Sequence, residues 1–408
     1  MRPQPSPQSR PRYLDVLDPS FDAGSAAVRA ARRDCWYARS PIGPLVLRHG
    51  EARRLLRDRR LDHDGRVLLE QNGIFDGPVH DWFTSMITHR EGDDHRRLRA
   101  LLNKAFSPAV VEGLRPFVRA TAHRLTDRLA EAGAGDFVAA FGDRLPLEVM
   151  SRMFGVPPDE HDRFRAWSAD IGLIFALAVG GDVPARVHDA VVGLNAYAER
   201  LIERPGGPPA GGLVQALVDA YRGGGLSRAE LRNLLVALVF GAHDTTRDQL
   251  ANAMVAFTAH PRQWTLLARH PGMVPQAVDE VMRWCPSSTT LRRVATRDLR
   301  YQGLDVPRGT QLTVCTAIAQ RDPDVFGDAD RFDITAARPP GAVLQFGAGP
   351  HHCLGAALAR AQLCEALLAL TGRLGPPTAT APFTWRSPIG IRGPESLFLS
   401  FAPPSPRT

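Results

Sequence analysis

The chain has 408 residues, a formal net charge of +7, and 44% hydrophobic and 23% charged residues, a composition typical of a globular protein and not of a disordered or fibrous one. Its positive charge comes from arginines dispersed among acidic residues, with Lys104 as the single lysine, so we expect no nucleic-acid binding. Five scattered cysteines without a CxxC pair exclude a secreted disulfide framework and indicate a reducing compartment.

Residues 1–20 are polar and rich in proline, which predicts a flexible lead-in to a single domain over residues 21–408. The lead-in contains no apolar run that could serve as a signal peptide or membrane anchor, so we expect a cytoplasmic protein without membrane contact. A short strand and an amphipathic helix are predicted in GPLVLRHGEARRLLRD, and the helical period dominates from about residue 94 to residue 260.

The first helix of this region begins with DDHRRLR, which places His95 and Arg99 one turn apart on the same face. A solvated charged face is the ordinary explanation of such a pattern. The functional alternative is a pair of donors directed at an anionic ligand, which Arg293 and His351 could join.

The longest predicted helix follows LSRAEL, where Ser227 and Glu230 form a capping box, and it continues to Ala259 over roughly 45–50 Å. Its apolar pattern is interrupted by GAHDTT, whose Asp and Thr side chains compete for backbone hydrogen bonds. The interruption indicates either a polar turn facing solvent or a loosened turn that brings Asp244 and Thr245 to a buried reaction centre.

The next helix contains EVMR, in which Glu280 and Arg283 share a face and would ordinarily form a surface ion pair. Short strands are predicted in RRVATRDLRYQGLDVPRGTQLTVC and in PESLFLSF near the C-terminus. The chain is therefore predicted to be one mainly helical domain with a small β portion.

FGAGPHHCLG combines three glycines with Cys353 directly before a helix. Zinc is a poor explanation, because no partner CxxC or HxxxH supplies the remaining ligands. A cysteine hydrolase stays open, since its histidine base could come from elsewhere in the chain. Glycines let the backbone approach a flat ligand and a helix start favours the thiolate, so the loop indicates an anionic sulfur presented to a metal.

These motifs together resemble the cytochrome P450 superfamily. FGAGPHHCLG is similar to its haem-binding loop, GAHDTT to its oxygen-activating helix, EVMR to its Glu-x-x-Arg pair, RDPDVFGDADRFD to its meander and DDHRRLR to its propionate-binding helix. The motifs occur in the family's order over roughly residues 30–402. In GAHDTT the family's usual Ala-Gly appears inverted, as Gly241-Ala242. The resemblance implies the family's helical prism, with a small β-rich portion and haem between two long helices.

The resemblance also implies haem b as the cofactor, with the Cys353 thiolate as the axial ligand of its iron. Phe346 would shield the sulfur, and the loop glycines would let the backbone approach the haem: Gly347, Gly349 and Gly355. The propionates would be held by four side chains: His95, Arg99, Arg293 and His351. Thr245 and Asp244 would deliver protons on the distal side. Glu280, Arg283 and Arg331 would form a buried structural network.

A substrate pocket is expected from residues for which plain core packing is about as common. They lie before the propionate-binding helix (Trp82, Phe83), in the middle of the chain (Ile171, Ile174, Phe175), on the long helix (Leu238, Ala242) and near the last strands (Thr290, Ile389, Ile391).

The implied function is oxygen insertion into a small organic molecule, a hydroxylation or epoxidation in specialised metabolism. Electrons would come from a ferredoxin and its reductase, docking near Arg96 and Arg360 of a monomeric protein. The alternative within the family is oxidative C–C, C–N or C–S bond formation. A catalytically silent binding partner is a third reading, although such a chain would be expected to lose the cysteine or its loop.

Overall fold

The computed structural model describes residues 10–175, 182–203, 213–387 and 390–403. The helices are α1 Ala26–Asp34, α2 His49–Leu55, α3 Arg66–Gln71, α4 Gly77–Ser85, α5 Gly92–Ala105, α6 Pro108–Ala132, α7 Arg144–Phe154, α8 His161–Gly172, α9 Val183–Glu203, α10 Leu213–Arg222, α11 Arg228–Ala259, α12 Pro261–Arg269, α13 Val274–Trp284, α14 Thr316–Ala319, α15 Pro323–Phe326 and α16 Ala356–Arg373. The predicted mainly helical domain is confirmed.

The strands are short and form two small sheets and a hairpin. They are β1 Tyr37–Ala38, β2 Leu45–Val46, β3 Leu61–Asp62, β4 Ala134–Asp136, β5 Thr290–Ala295, β6 Leu299–Tyr301, β7 Leu304–Val306, β8 Gln311–Cys315, β9 Pro377–Ala379 and β10 Phe398–Phe401. The strand order is β1-β2-β8-β5-β3 in the larger sheet and β4-β10-β9 in the smaller, while β6 pairs with β7. In the larger sheet the antiparallel pair β5–β8 sets Arg293 opposite Leu312.

The second half of the N-terminal lead-in contacts the rest of the domain. Residues 1–9 lie outside the described part of the chain, but from residue 10 onward the segment is fixed to the domain. Tyr13 forms a parallel bridge with Arg39, and Leu14 and Val16 are buried beside strand β2. Two apolar side chains in the second half of the segment thus lie in a core, and the flexible lead-in over residues 1–20 stays a prediction.

Helix α11 begins and ends where the sequence predicts. The Ser227 hydroxyl accepts from the Glu230 backbone N–H, and the Glu230 carboxylate accepts from the Ser227 N–H, which completes the capping box. Its 32 residues span about 48 Å. Helices α6, α7, α8, α9 and α13 pack around α11 and α16 in the main core. None of the helices in the described part of the chain combines the length and the apolar character that a membrane crossing requires.

Candidate active site

A mainly apolar cavity lies between α11 and α16. It holds about 1650 Å³ of space between protein atoms, part of which is open to solvent. One wall is the middle of α11, and the opposite wall is the start of α16 with the loop that precedes it. Cys353 lies in this second wall, so its thiol faces the long helix across the cavity.

The loop before α16 adopts backbone conformations that only glycine takes without strain. Gly347 has φ +73° and Gly349 has φ +79°, and a Cβ on Gly349 would approach the Leu56 carbonyl oxygen to 3.1 Å. Gly347 and Gly355 line the cavity, whereas Gly349 turns the loop against the strand side of the domain. The loop thus presents Cys353 at the edge of the cavity with little side-chain cover.

Burial raises the pKa of the Cys353 thiol above its ordinary value. The backbone N–H groups of Gly355 and Ala356 and the charge of Arg99 lower it, but burial outweighs them. Such a thiol needs a further positive charge to ionise, and a bound metal ion supplies one. Phe346 also lines the cavity, close to the sulfur in sequence, and its ring lies 5.3 Å from the Arg360 guanidinium.

The predicted cationic side chains meet at one end of the cavity. His95 and Arg99 come from α5, Arg293 from β5, and His351 from the loop before Cys353. The rings of His95 and His351 lie 4.4 Å apart, and Arg99 donates to the His352 carbonyl oxygen at 2.6 Å. Three elements that are distant in sequence thus assemble one edge, whose positive charge comes from Arg99 and Arg293 because burial lowers the pKa of His95 to about 4.

Arg293 has no anion in hydrogen-bond contact at this edge among the described residues. It is buried, and its guanidinium donates only to the backbone oxygens of Arg292 and Leu56 among the described residues. Burial lowers the pKa of Arg293 to about 10, since the nearby charges of Glu91 and Asp62 only partly compensate. A ligand carboxylate here would pair with a buried cation that has no close anionic partner in the described structure.

Sequence reasoning missed a fifth group at this edge, His63. Its Nδ1 lies 3.0 Å from Nδ1 of His89, and His89 Nδ1 also lies 2.8 Å from the His63 carbonyl oxygen, so His89 donates and His63 accepts. The proton of His63 is then on Nε2, and the residue lines the same cavity. Glu91 orients the group by bonding His351 Nε2 at 2.8 Å and the His63 backbone N–H at 3.2 Å. No short-range motif marks His63.

The residues present fit haem. The cavity has an apolar body, a thiol in one wall, and at one end a cationic edge whose buried Arg293 has no anion in hydrogen-bond contact among the described residues. Haem has a flat apolar ring, an iron that thiolate binds, and two propionates on one side. Each feature of the ligand therefore has a counterpart among the residues of the cavity.

The Glu-x-x-Arg pair is buried and not on the surface. Glu280 and Arg283 form two hydrogen bonds of 2.7 Å, and neither side chain is more than 1% exposed. The third charged member is Arg338, which donates to both Glu280 oxygens at 2.9 Å. The prediction of Arg331 as third side chain is wrong: Arg331 contributes its backbone oxygen to Arg283, while its own side chain is 64% exposed.

Thr245 and Asp244 occupy different faces of α11. Thr245 lines the cavity, as do Thr246 and Gly241, and its hydroxyl donates to the Gly241 carbonyl oxygen at 3.3 Å. Asp244 is buried on the far face, where Arg386 lies 3.4 Å from its carboxylate and His243 lies 3.1 Å from it. The sequence identified both residues but not Arg386, which is 142 positions away.

Burial raises the pKa of Asp244, but the hydrogen bond from His243 and the charges of Arg386 and Arg247 outweigh this effect. The pKa of Asp244 therefore ends below its ordinary value, and Asp244 is a carboxylate.

The structure brings only some of the residues expected for the substrate pocket to the cavity. Leu238 and Ala242 line the cavity, but Trp82 and Phe83 do not: Trp82 lines a separate cleft beside Asn233, and the Phe83 ring packs against His89 at 4.7 Å. The residues that reach the cavity belong to the turn that follows α4: Met86, Ile87 and Thr88.

Ile171 and Ile174 are buried at the end of α8, outside the cavity. Neighbouring Gly172 lies against the Asp244 carboxylate, so this segment covers the far face of α11. Thr290 and Ile391 do not line the cavity either, and Ser287, Ser288 and Leu291 take their place. The side chain of Phe175 and all of Ile389 lie outside the described residues.

Residues 270–371 match the family model described as Cytochrome P450. The chain is 40% identical to luteothin monooxygenase of Streptomyces thioluteus over 95% of this chain and 96% of the relative. It is 34% identical to mycinamicin IV hydroxylase/epoxidase of Micromonospora griseorubida over 88% of this chain and 90% of the relative.

Solved structures resemble this chain over most of its length. One is P450BioI in complex with an acyl carrier protein ligated to hexadec-9Z-enoic acid, with TM-score 0.85, 25% identity, and 92% of this chain and 97% of that chain covered. Another is CxnD, a cytochrome P450 enzyme for C–S bond formation in chuangxinmycin biosynthesis, with TM-score 0.83, 26% identity, and 97% and 99% covered.

Proposed function

The chain belongs to the cytochrome P450 family and is a P450 monooxygenase, and we propose that it hydroxylates or epoxidises a small organic molecule in specialised metabolism. The family uses a haem-thiolate cofactor. We propose haem b as that cofactor and Cys353 as its axial ligand. The observation that carries this proposal is the placement of Cys353 in one wall of a cavity whose end is a cationic edge, where the buried Arg293 has no anion in hydrogen-bond contact among the described residues.

When bound, haem supplies an iron whose thiolate ligand donates the electron density that favours O–O bond cleavage. The protein's own residues hold and orient it. His63, His95, Arg99, Arg293 and His351 would bind the propionates, and Phe346 and the loop glycines would border the ring. Glu280 and Arg283 bond each other on α13, and Arg283 holds the segment around Ala329 in place by donating to the Ala329 carbonyl oxygen.

Proton delivery would use Thr245 and Asp244. The Thr245 hydroxyl is at the cavity surface, where it can donate to a ligand or a water molecule. Asp244 is the adjacent carboxylate but is turned away, so it needs a rotation to exchange a proton with the Thr245 side of α11.

The substrate side of the cavity is mainly apolar, with hydroxyl and amide groups but no charge on α11. Leu234, Ala237, Leu238 and Phe240 of α11 line it, together with Thr246 and Gln249. These residues suit a largely apolar, uncharged molecule with one or a few hydrogen-bonding groups.

Electrons would reach the site from a ferredoxin and its reductase. Arg99 contacts the carbonyl of His352, beside the cysteine, so α5 borders the thiol side of the cavity. Arg96 lies on the same helix with a side chain that is 70% exposed, whereas Arg360 pairs with Asp279 and is half-buried over Phe346. An acidic ferredoxin would therefore meet Arg96 more directly than Arg360.

The test of the proposal is the spectrum of Cys353→Ser. We expect the wild type, reduced and bound to carbon monoxide, to show the red-shifted Soret band of thiolate-ligated haem, and the variant to lack it. Cys364→Ser is the matched control, because Cys364 lies on α16 outside the cavity and its loss should leave the band unchanged. A thiolate band in Cys353→Ser would refute the assignment.

Oxidative bond formation is the alternative, since a structural relative forms a C–S bond. The two reactions would use the same residues. Turnover under isotopically labelled dioxygen separates them, because the product carries the label only when oxygen has been inserted.

A further inference from the structure

Behind the cavity, the far face of α11 carries a buried cluster of six ionisable residues. Five of them are charged (Asp143, Asp244, Arg247, Asp248 and Arg386), and the sixth is the titratable His243. Four come from α11, Asp143 directly precedes α7, and Arg386 comes from the loop before β10. The proposed function uses only Asp244 from this cluster.

Within the cluster His243 bridges two carboxylates. Its Nδ1 lies 3.1 Å from Asp244 Oδ1, and its Nε2 lies 3.7 Å from Asp143 Oδ1. The His243 side chain has no exposed surface, and Nε2 has no hydrogen-bond partner among the described residues. An imidazole with one nitrogen toward each of two acids is the arrangement that can pass a proton from one to the other.

The two carboxylates differ in their access to water. The Asp143 side chain is 17% exposed, whereas that of Asp244 is 1% exposed. Asp143 can therefore exchange protons with solvent, and Asp244 depends on its neighbours. Arg386 and Arg247 cannot serve, because a guanidinium stays protonated.

The charges of the cluster leave room for one mobile proton. Three carboxylates face two guanidinium groups, so one additional proton neutralises the set. Burial raises the pKa of Asp248 to about 6, despite the opposing charges of Arg247 and Arg386. A proton bound to this cluster is thus held where it can be released near neutral pH.

We propose that His243 relays protons from Asp143 at the protein surface to Asp244. The proposal rests on the role of Asp244 in the proposed function and extends it to the source of the proton. His243 does not touch the cavity, so it acts through Asp244 and is a positioning residue.

Each transfer conserves protons. Asp244 is a carboxylate, so His243 donates Nδ1–H to it and accepts on Nε2. Solvent protonates Asp143, whose proton moves to Nε2 as the Nδ1 proton moves to Asp244, so that Asp143 is a carboxylate again. The 3.7 Å gap to Asp143 closes by a rotation of that carboxylate or through a bridging water. A rotation of the ring that turns Nε2–H toward Asp244 and Nδ1 toward Asp143 resets the relay without a further proton.

The test compares His243→Gln and His243→Leu with the wild type in the haem-loaded enzyme. Glutamine can still donate a hydrogen bond to Asp244 but cannot carry a proton across a ring, and leucine can do neither. If His243 is a relay, both variants should lose product per electron consumed, with turnover about 10-fold slower. Both should release more hydrogen peroxide and show a larger solvent deuterium isotope effect.

A structural role predicts a different pattern. In that case His243→Gln would behave as wild type in coupling and isotope effect, and only His243→Leu would be impaired, which would overturn the proposal. His49→Gln is the matched control. His49 is also buried and bonds the Ala342 backbone oxygen through Nε2, and it takes part in none of the contacts that define the cluster. It should leave coupling unchanged.

A second readout does not depend on activity. The ring signals of His243 can be assigned by the difference between ¹⁵N-histidine spectra of wild type and His243→Gln. Asp143→Asn should then shift the Nε2 signal, and unchanged signals would contradict the contact on which the relay depends. The thiolate band of Cys353 should persist in all these variants, so its loss would count against the proposed function and not against the relay.

Discussion

Two buried charge clusters of this enzyme differ in how completely their hydrogen bonds are satisfied. Around Glu280, every bond to Arg283 and Arg338 measures 2.7–2.9 Å, and the Asp333 backbone N–H adds another at 2.9 Å. Around Asp244 the charged groups lie 3.1–3.7 Å apart. Several of its atoms have no hydrogen-bond partner among the described residues: His243 Nε2, Arg247 Nε, both Asp248 oxygens and Arg386 Nη1.

The difference separates two uses of buried charge. A fully bonded cluster has one arrangement and fixes the segments that it joins, here α13 with the chain from Gln320 to Arg338. A cluster with long contacts has more than one arrangement of similar energy, as proton movement requires. The Glu280 cluster should therefore control stability, and the Asp244 cluster should control coupling and pH dependence.

Glu280→Gln should have the largest effect on stability. The substitution leaves Arg283 and Arg338 buried without their counter-charge, which costs about 3–5 kcal/mol. Denaturant unfolding of the haem-loaded protein measures the loss. Glu112→Gln is the control, because Glu112 is 62% exposed and its partner Arg115 keeps a second carboxylate, Glu365, so the change should cost no more than about 1 kcal/mol. Equal losses in both variants would contradict the distinction.

Arg338→Met should cost about 2–3 kcal/mol, since it removes two charge-assisted hydrogen bonds from a carboxylate that is 1% exposed. Arg331→Met should change stability by less than about 0.5 kcal/mol, because that side chain is exposed and only its backbone oxygen serves the cluster. The pair measures directly which arginine belongs to the network. A larger loss in Arg331→Met would reverse the assignment.

Asp248→Asn should stabilise the protein at neutral pH by roughly 1–2 kcal/mol. Burial raises the pKa of Asp248 from 3.8 to about 6, so its contribution to stability is full below pH 3.8 and is lost as the pH rises through 6. Asparagine does not ionise and escapes this loss. Measured between pH 4 and 8, the unfolding free energies of the two proteins should diverge as the pH rises through 6 and should differ by a constant amount at higher pH. A difference that does not vary with pH would contradict this account.

The sequence predicted the residues whose roles follow from local patterns. The capping box at Ser227, the glycine loop around Cys353 and the one-turn spacing of His95 and Arg99 are all short-range signals, and the structure brings the last two to one cavity. Patterns of this kind are readable because helix and turn geometry alone fixes their meaning.

What the sequence could not predict depends on packing between distant segments. Arg338 and not Arg331 bonds Glu280, because the loop after Asp333 brings the Arg338 side chain against α13. Arg386 contacts Asp244 although the two residues are 142 positions apart in the sequence. His63 joins the cationic edge through contacts with His89 and Glu91, which no spacing encodes. The sequence could not predict which residues line the cavity for the same reason. Trp82 and the turn at Ile87 are five residues apart, but only the turn reaches the cavity.

The smallest expected effect belongs to the exposed charges, which form neither kind of cluster. Arg96 pairs with Asp93 on the surface of α5, with side chains 70% and 95% exposed, so its substitution should not alter stability measurably. If a ferredoxin docks here, Arg96→Glu should slow ferredoxin-supported turnover several-fold at low ionic strength and much less at high salt, because rim charges act mainly on encounter rates. Peroxide-driven turnover needs no partner and should hardly change.

Arg165→Glu is the matched control, since Arg165 also lies near an acid three residues earlier but on α8, which packs against α9 and α11. Equal slowing of both routes in Arg96→Glu would place the residue among those that support the cavity, as Arg99 does three positions later, and the docking surface would have to be sought elsewhere.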